Sequence, residues 1–108
     1  MNEVIALQPI LLQQWLEEGK QIQLLDVREQ DEWDICHIAG SLHIPMNDIL
    51  KHLDTINPNT PTVVICHHGV RSGIVADRLS IKGYGQLYNL TGGIDMWARQ
   101  VDKEMARY

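Results

Sequence analysis

Short apolar runs alternate along the chain with helical spacings. Leu11, Leu12, Trp15 and Leu16 fall at offsets that line one face of a helix. Pro9 suits the first turn of such a helix and Gly19 its stop. Ile22–Val27 reads as a strand. Leu42-His43-Ile44, closed by Pro45, reads as a short second strand, with a helix expected from about Asn47 to Leu53. Asn57-Pro58-Asn59-Thr60-Pro61 is a turn by composition. Thr62-Val63-Val64-Ile65-Cys66 is the clearest strand, β-branched and apolar on both faces like a buried central parallel strand. Ser72 to Lys82 predicts a helix with Ile74, Val75 and Leu79 as its apolar face and Gly83 as its stop. Gln86 to Leu90 predicts another strand. Gly92-Gly93 breaks the chain, and a last helix carries Trp97.

This alternation argues for an α/β domain with a mostly parallel sheet. Ligands of such sheets bind outside the carboxyl ends of the strands. Cys66 stands at such an end, on the strongest strand, just before a helix.

Composition changes this picture little. At 108 residues the chain is expected to form one domain, residues 1–108. Its 44% apolar and 21% charged residues are ordinary for a globular fold and argue against disorder. A net charge of −5 argues against a general nucleic-acid binder. No apolar run approaches the roughly 18 residues of a membrane span. The first basic residue is Lys20, so no signal or transit peptide is expected, and a cytoplasmic location is. Two cysteines, Cys36 and Cys66, are too few for a disulfide scaffold.

The segment Cys66-His67-His68-Gly69-Val70-Arg71-Ser72 carries the chemistry. A thiol becomes a good nucleophile when it loses its proton. A strand-to-helix loop favours the anion through inward-pointing amides and the positive end of the helix. Gly69 lets the backbone bend where a side chain would clash. Arg71 is a permanent cation whose planar fork suits the loop's carbonyls or an oxyanion. His67 and His68 offer donors, or are simply solvated. A lone cysteine at a strand end is more often core than nucleophile; the glycine and arginine at this spacing shift the balance toward chemistry. Neighbouring side chains seldom converge on one ion, so no metal site is expected on Cys66, His67 and His68. Gly92-Gly93 lacks the lysine and spacing of a nucleotide loop and reads as a tight turn near the Cys66 loop. His43 and His52 read as structural or exposed, and Trp15, Trp33 and Trp97 as core aromatics.

Four segments, in order, resemble the signatures of a single-domain rhodanese of the rhodanese homology family. They are Leu24-Leu25-Asp26-Val27-Arg28-Glu29; Glu32-Trp33 with His37-Ile38-Ala39-Gly40-Ser41 and Ile44-Pro45; Cys66 to Ser72; and Asn89-Leu90-Thr91-Gly92-Gly93-Ile94 with Trp97. The resemblance implies a five-stranded, mainly parallel sheet with helices on both faces. It implies a sulfurtransferase in which Cys66 takes a sulfane sulfur from thiosulfate, polysulfide or a persulfide. The Cys66 persulfide then passes it to cyanide or a thiol. His67, His68, Gly69, Val70, Arg71 and Ser72 would form the substrate-binding loop. Asp26 and Arg28 would brace the site, or form a plain surface or sheet-end ion pair. No cofactor or metal is implied. The expected partners are a small sulfur-containing anion or persulfide, or a protein sulfur donor or acceptor, with neither nucleic acid nor membrane.

Related phosphatases and arsenate reductases carry five residues between cysteine and arginine, whereas four separate Cys66 from Arg71. A phosphate should fit poorly where a single sulfur fits. The alternative function is a sulfur-carrier or regulatory binding module with little turnover on thiosulfate. The family usually has glycine where this chain has Cys36. If the backbone there needs positive φ, Cys36 is strained. Otherwise it is a small packed residue, or a thiol that resolves the Cys66 persulfide.

Overall fold

The computed structural model describes residues 3–108. Five strands, β1 (Val4–Leu7), β2 (Gln23–Asp26), β3 (Leu42–His43), β4 (Thr62–Ile65) and β5 (Leu87–Leu90), form one sheet in the order β1-β5-β4-β2-β3. All of these pairings are parallel, as expected. Among the described residues, the α-helices α1 (Pro9–Glu17), α2 (Gln30–Ile35) and α3 (Val70–Ile81) lie between strands, and α4 (Gly93–Gln100) follows β5.

β4 is buried throughout because it is central and both its faces are covered. Val63 and Ile65 point into one core layer with Leu12, Ile94 and Trp97 from α1 and α4. Val64 and Cys66 point into the other with Val75, Ala76 and Leu79 from α3. This two-faced burial puts helices on both sides of the sheet. Each such fully buried side chain contributes roughly 1.5–3 kcal/mol relative to exposure.

Several sequence expectations are corrected. β1 was not anticipated: it is an edge strand with only Leu7 buried, so its apolar pattern is weak. α2 was not anticipated either. It buries no residue, and its start is fixed by reciprocal bonds between Glu29 and Glu32 rather than by an apolar stripe. The helix expected over Asn47 to Leu53 is instead two 3₁₀ segments, Met46–Lys51 and Leu53–Thr55. His52, at φ −127°, interrupts them.

α3 starts at Val70, two residues before the expected Ser72. Its inward positions are Ser72, Val75, Ala76, Leu79 and Ser80. Ile74, expected on the buried face, is exposed. Small residues occupy much of the true stripe and hide it in the sequence.

Trp97 is core as expected, and Trp15 packs edge-on against Tyr88. Trp33 is not core: its ring is sandwiched between His37 and His43, at 3.8 and 4.5 Å between centroids. No described helix is long and apolar enough to cross a membrane.

Candidate active site

Cys66 follows β4 directly and is 1% exposed. Its sulfur accepts a hydrogen bond from the Gly69 amide at 3.0 Å. It also lies 3.2 Å from the Ser72 hydroxyl. Gly69 turns the loop at φ +109°, a conformation that favours glycine, and hands the chain to α3. The first amides of α4 close the loop from the other side. Ile94 N–H donates to the Cys66 carbonyl at 2.8 Å, and Asp95 N–H to the His67 carbonyl at 3.1 Å. Gly92-Gly93 is therefore a turn that lays α4 on the Cys66 loop.

Asn89, on β5, organises the same loop. Its Nδ2 donates to the Gly69 carbonyl at 3.0 Å, which aims Oδ1 at Ser72. The Ser72 hydroxyl donates to Oδ1 at 2.5 Å. A hydroxyl has one proton, so Ser72 so placed accepts from a Cys66 thiol. Towards an anionic sulfur it can turn and donate instead.

Around the loop runs a second network. Asp26 and Arg28 are both fully buried and paired, with Nη2 2.8 Å from Oδ2 and Nε 3.0 Å from Oδ1. The surface-pair reading of Asp26 and Arg28 is thereby corrected. Arg28 also donates to the carbonyls of Glu32 (3.2 Å) and Cys36 (2.6 Å) and to the Tyr108 hydroxyl (2.9 Å). Tyr108 in turn donates to Glu32 Oε2 at 2.8 Å. Glu32 holds Arg71 in a fork, Oε1 to Nη1 at 2.6 Å and Oε2 to Nη2 at 2.9 Å. Asp26, Arg28, Tyr108, Glu32 and Arg71 thus form one continuous chain of polar contacts.

These contacts set the protonation states. The Arg71 fork lowers the Glu32 carboxyl to about 2, against an opposing desolvation cost and with help from Tyr108 and the Glu29 amide. Arg71 is raised, first by Glu32. Burial opposes the charge on Arg28, yet its bonds to Asp26 and Tyr108 raise it overall. Burial raises the Tyr108 phenol. Burial, then the neighbouring His68, lowers His67 and favours its neutral form.

The match to known proteins is decisive at this point: a family model described as "Rhodanese-like domain" covers residues 9–100. The chain belongs to the rhodanese-like domain family. Thiosulfate sulfurtransferase GlpE of Coxiella burnetii is 34% identical over 87 residues, covering 80% of this chain and 81% of GlpE. MoeZ of Mycobacterium tuberculosis, described as a probable adenylyltransferase/sulfurtransferase, is 35% identical over 93% of this chain. The chain spans only about a quarter of MoeZ's length (26%). The crystal structure of a rhodanese-like domain protein from Staphylococcus aureus superposes with a TM-score of 0.82 at 31% identity, covering 87% of this chain and 91% of that one. The expected five-stranded rhodanese fold is thereby established.

The rhodanese loop brings some expected residues together and turns others away. Cys66, Gly69 and Ser72 converge on the sulfur. Val70 is 72% exposed and points outward. His67 stacks on the Tyr108 ring at 3.9 Å, with Nε2 3.1 Å from the Tyr108 backbone oxygen. His67 and His68 do converge with Asp95, their ligand atoms lying within 4.8 Å of one another. Asp95 already pairs there with Arg99 at 3.0 Å and Arg107 at 3.6 Å, which disfavours a cation. Arg71, expected to face loop carbonyls or an oxyanion, faces Glu32 instead.

Cys36 has φ −165°, ordinary extended backbone, so a side chain replaces the family's glycine without strain. It packs partly buried against the α1/α4 layer, and its sulfur lies 3.9 Å from Arg28 Nη1. Asn89 and Glu32 had appeared only as letters of the family signatures, and Tyr108 had not been singled out. The capping pattern at Glu29–Glu32 was the one local signal that could have located Glu32.

Proposed function

We propose that this rhodanese-like chain is a sulfurtransferase whose nucleophile is Cys66. The placement of its sulfur carries the reading: it stands at the carboxyl end of the central strand, between the Gly69 amide and the Ser72 hydroxyl. The Cys66 thiolate attacks the outer sulfur of a donor and the S–S bond of the donor breaks. With a persulfide, RS–SH and the thiolate give Cys66–S–SH and RS⁻. With thiosulfate, the products are Cys66–S–S⁻ and sulfite. A thiol acceptor takes the sulfur as its persulfide and cyanide takes it as thiocyanate, each returning the Cys66 thiolate. The transferred sulfane sulfur is itself the oxidant of the acceptor, so no external oxidant or reductant is needed, and the amide and hydroxyl stabilise the anionic sulfur at each stage.

Asp26 and Arg28 brace the loop through Glu32 and Tyr108 and do not react. A small sulfur anion, a persulfide or a protein donor or acceptor is the partner. Both cysteines are free, which suits a reducing cytoplasm, where we place the reaction. A second reading, sulfur carriage, is supported by YrkF of Bacillus subtilis, described as a "Putative sulfur carrier protein" and 30% identical over 82% of this chain, which spans 48% of YrkF.

Intact mass after incubation with thiosulfate, polysulfide or glutathione persulfide tests the proposal. Wild type and Cys36→Ser should gain one sulfur atom and Cys66→Ser none. Loss of the gain in Cys36→Ser would assign that cysteine a part in the transfer. No gain with any donor would overturn the proposal. A gain that neither cyanide nor small thiols discharge would favour carriage.

A further inference from the structure

Arg28 and Arg71, the two arginines of the network around the Cys66 loop, are each paired with a carboxylate. Arg28 has five N–H groups, and all five are engaged: two by Asp26, and one each by the Glu32 carbonyl, the Cys36 carbonyl and the Tyr108 hydroxyl. It is also fully buried. Arg71 presents both terminal nitrogens to Glu32. The Glu32 carboxylate is itself held in place by Tyr108 and by the Glu29 amide at 3.1 Å. Asp26 and Glu32 therefore cancel Arg28 and Arg71 one for one. Arg99 and Arg107, on the α4 side, share Asp95 and are half exposed, where solvent screens them.

Donors differ in what they ask of such a site. Thiosulfate brings two negative charges next to the reacting sulfur and leaves as sulfite, another dianion. A persulfide brings at most one charge there and leaves as a thiolate. One amide and one hydroxyl can hold a single anionic sulfur. A compact dianion in a partly buried loop needs an uncompensated cation as well. The protein's net charge of −5 adds repulsion.

We propose that Glu32 sets donor specificity: by occupying the Arg71 fork it makes the site select persulfides over thiosulfate and other compact dianions. This rests on the sulfurtransferase reading above. Glu32 acts through Arg71 and is a positioning residue, with Tyr108 holding it there.

The test compares wild type with Glu32→Gln, using thiosulfate and glutathione persulfide as donors and cyanide as the common acceptor. In wild type, kcat/KM for glutathione persulfide should exceed that for thiosulfate by about a hundredfold. In Glu32→Gln the freed Arg71 should shrink that ratio by about tenfold, through a lower KM for thiosulfate. Preference for thiosulfate in wild type, or a ratio unchanged in the variant, would overturn the proposal. Sulfate binding by calorimetry reads the same property without turnover. Wild type should show none at millimolar sulfate, while Glu32→Gln should bind it. Millimolar binding by wild type would sink the idea even if the variant fails to fold. Failure of the sulfurtransferase reading is distinguishable, because no donor would then add sulfur to Cys66 while the sulfate result still stands.

Discussion

Asp26 and Arg28 form a two-point ion pair two residues apart, with both side chains at 0% exposure. The pair sits where β2 leaves the sheet beside β4, so it ties the strand end to the rim of the Cys66 loop. Neither charge can turn to water if its partner is lost. Asp26→Asn should therefore cost about 3–5 kcal/mol, the usual penalty for stranding one half of a buried pair. Urea denaturation measures it. A loss below about 1 kcal/mol would mean that Arg28 is held well enough by its other acceptors.

Asn89 should matter to the reaction without touching the sulfur. It binds the Gly69 carbonyl and the Ser72 hydroxyl, and Gly69, through its amide, and Ser72 are the residues that contact the Cys66 sulfur. Removing a hydrogen bond of this kind is worth about 0.5–1.5 kcal/mol. Asn89→Ala should slow sulfur loading of Cys66 about three- to tenfold, and Ser72→Ala should do much the same. Because both act through one hydroxyl, the double variant should be little slower than either single one. Stopped-flow loading rates decide this, and full additivity would show that Asn89 acts elsewhere.

Glu32 links stability to acid. Its carboxyl is lowered from an ordinary 4.5 to about 2, chiefly by Arg71. As pH falls below about 4.5 the unfolded chain takes up this proton before the folded one does. The stabilisation, on the order of 2 kcal/mol, is therefore complete above the unfolded value and disappears as pH falls from about 4.5 to about 2. Unfolding free energies of wild type and Glu32→Gln should differ at pH 7 and converge towards pH 2. A gap that stays constant over that range would mean that Glu32 supports the fold by packing and not by charge.

The reactive end of the molecule was legible because it is local. Cys66, Gly69 and Ser72 lie within one strand-to-helix turn, and β4 advertises its burial on both faces. Of the supporting network only Asp26 and Arg28 were singled out in the sequence, because its other bonds join residues far apart in the chain: Glu32 to Arg71, Tyr108 to Glu32 and Asn89 to Ser72. No periodicity encodes such pairs. α2, which carries Glu32, buries nothing and so leaves no hydrophobic trace. The possible strain at Cys36 also depended on a backbone angle that only the structure supplies, and that angle is extended.

Gly93 offers the sharpest test of how the loop is held. It adopts φ +61°, and a Cβ placed there would run into the carbonyl oxygens of Cys66 and His67. Those are the carbonyls that receive the Ile94 and Asp95 amides in the first turn of α4. Backbone cannot swing aside as a flexible side chain can, so Gly93→Ala must push α4 off the loop. The left-handed strain alone is worth roughly 1–2 kcal/mol, and two weakened hydrogen bonds add about 0.5–1.5 kcal/mol each. The expected loss is about 3 kcal/mol or more, with slower loading of Cys66 in whatever protein still folds. Gly19→Ala separates the two causes, since Gly19 has φ +70° but nothing within 4 Å of its would-be Cβ. It should show the strain without the collision, a loss of roughly 1–2 kcal/mol and an unchanged loading rate. Equal losses at the two positions would mean that α4 does not clamp the Cys66 loop.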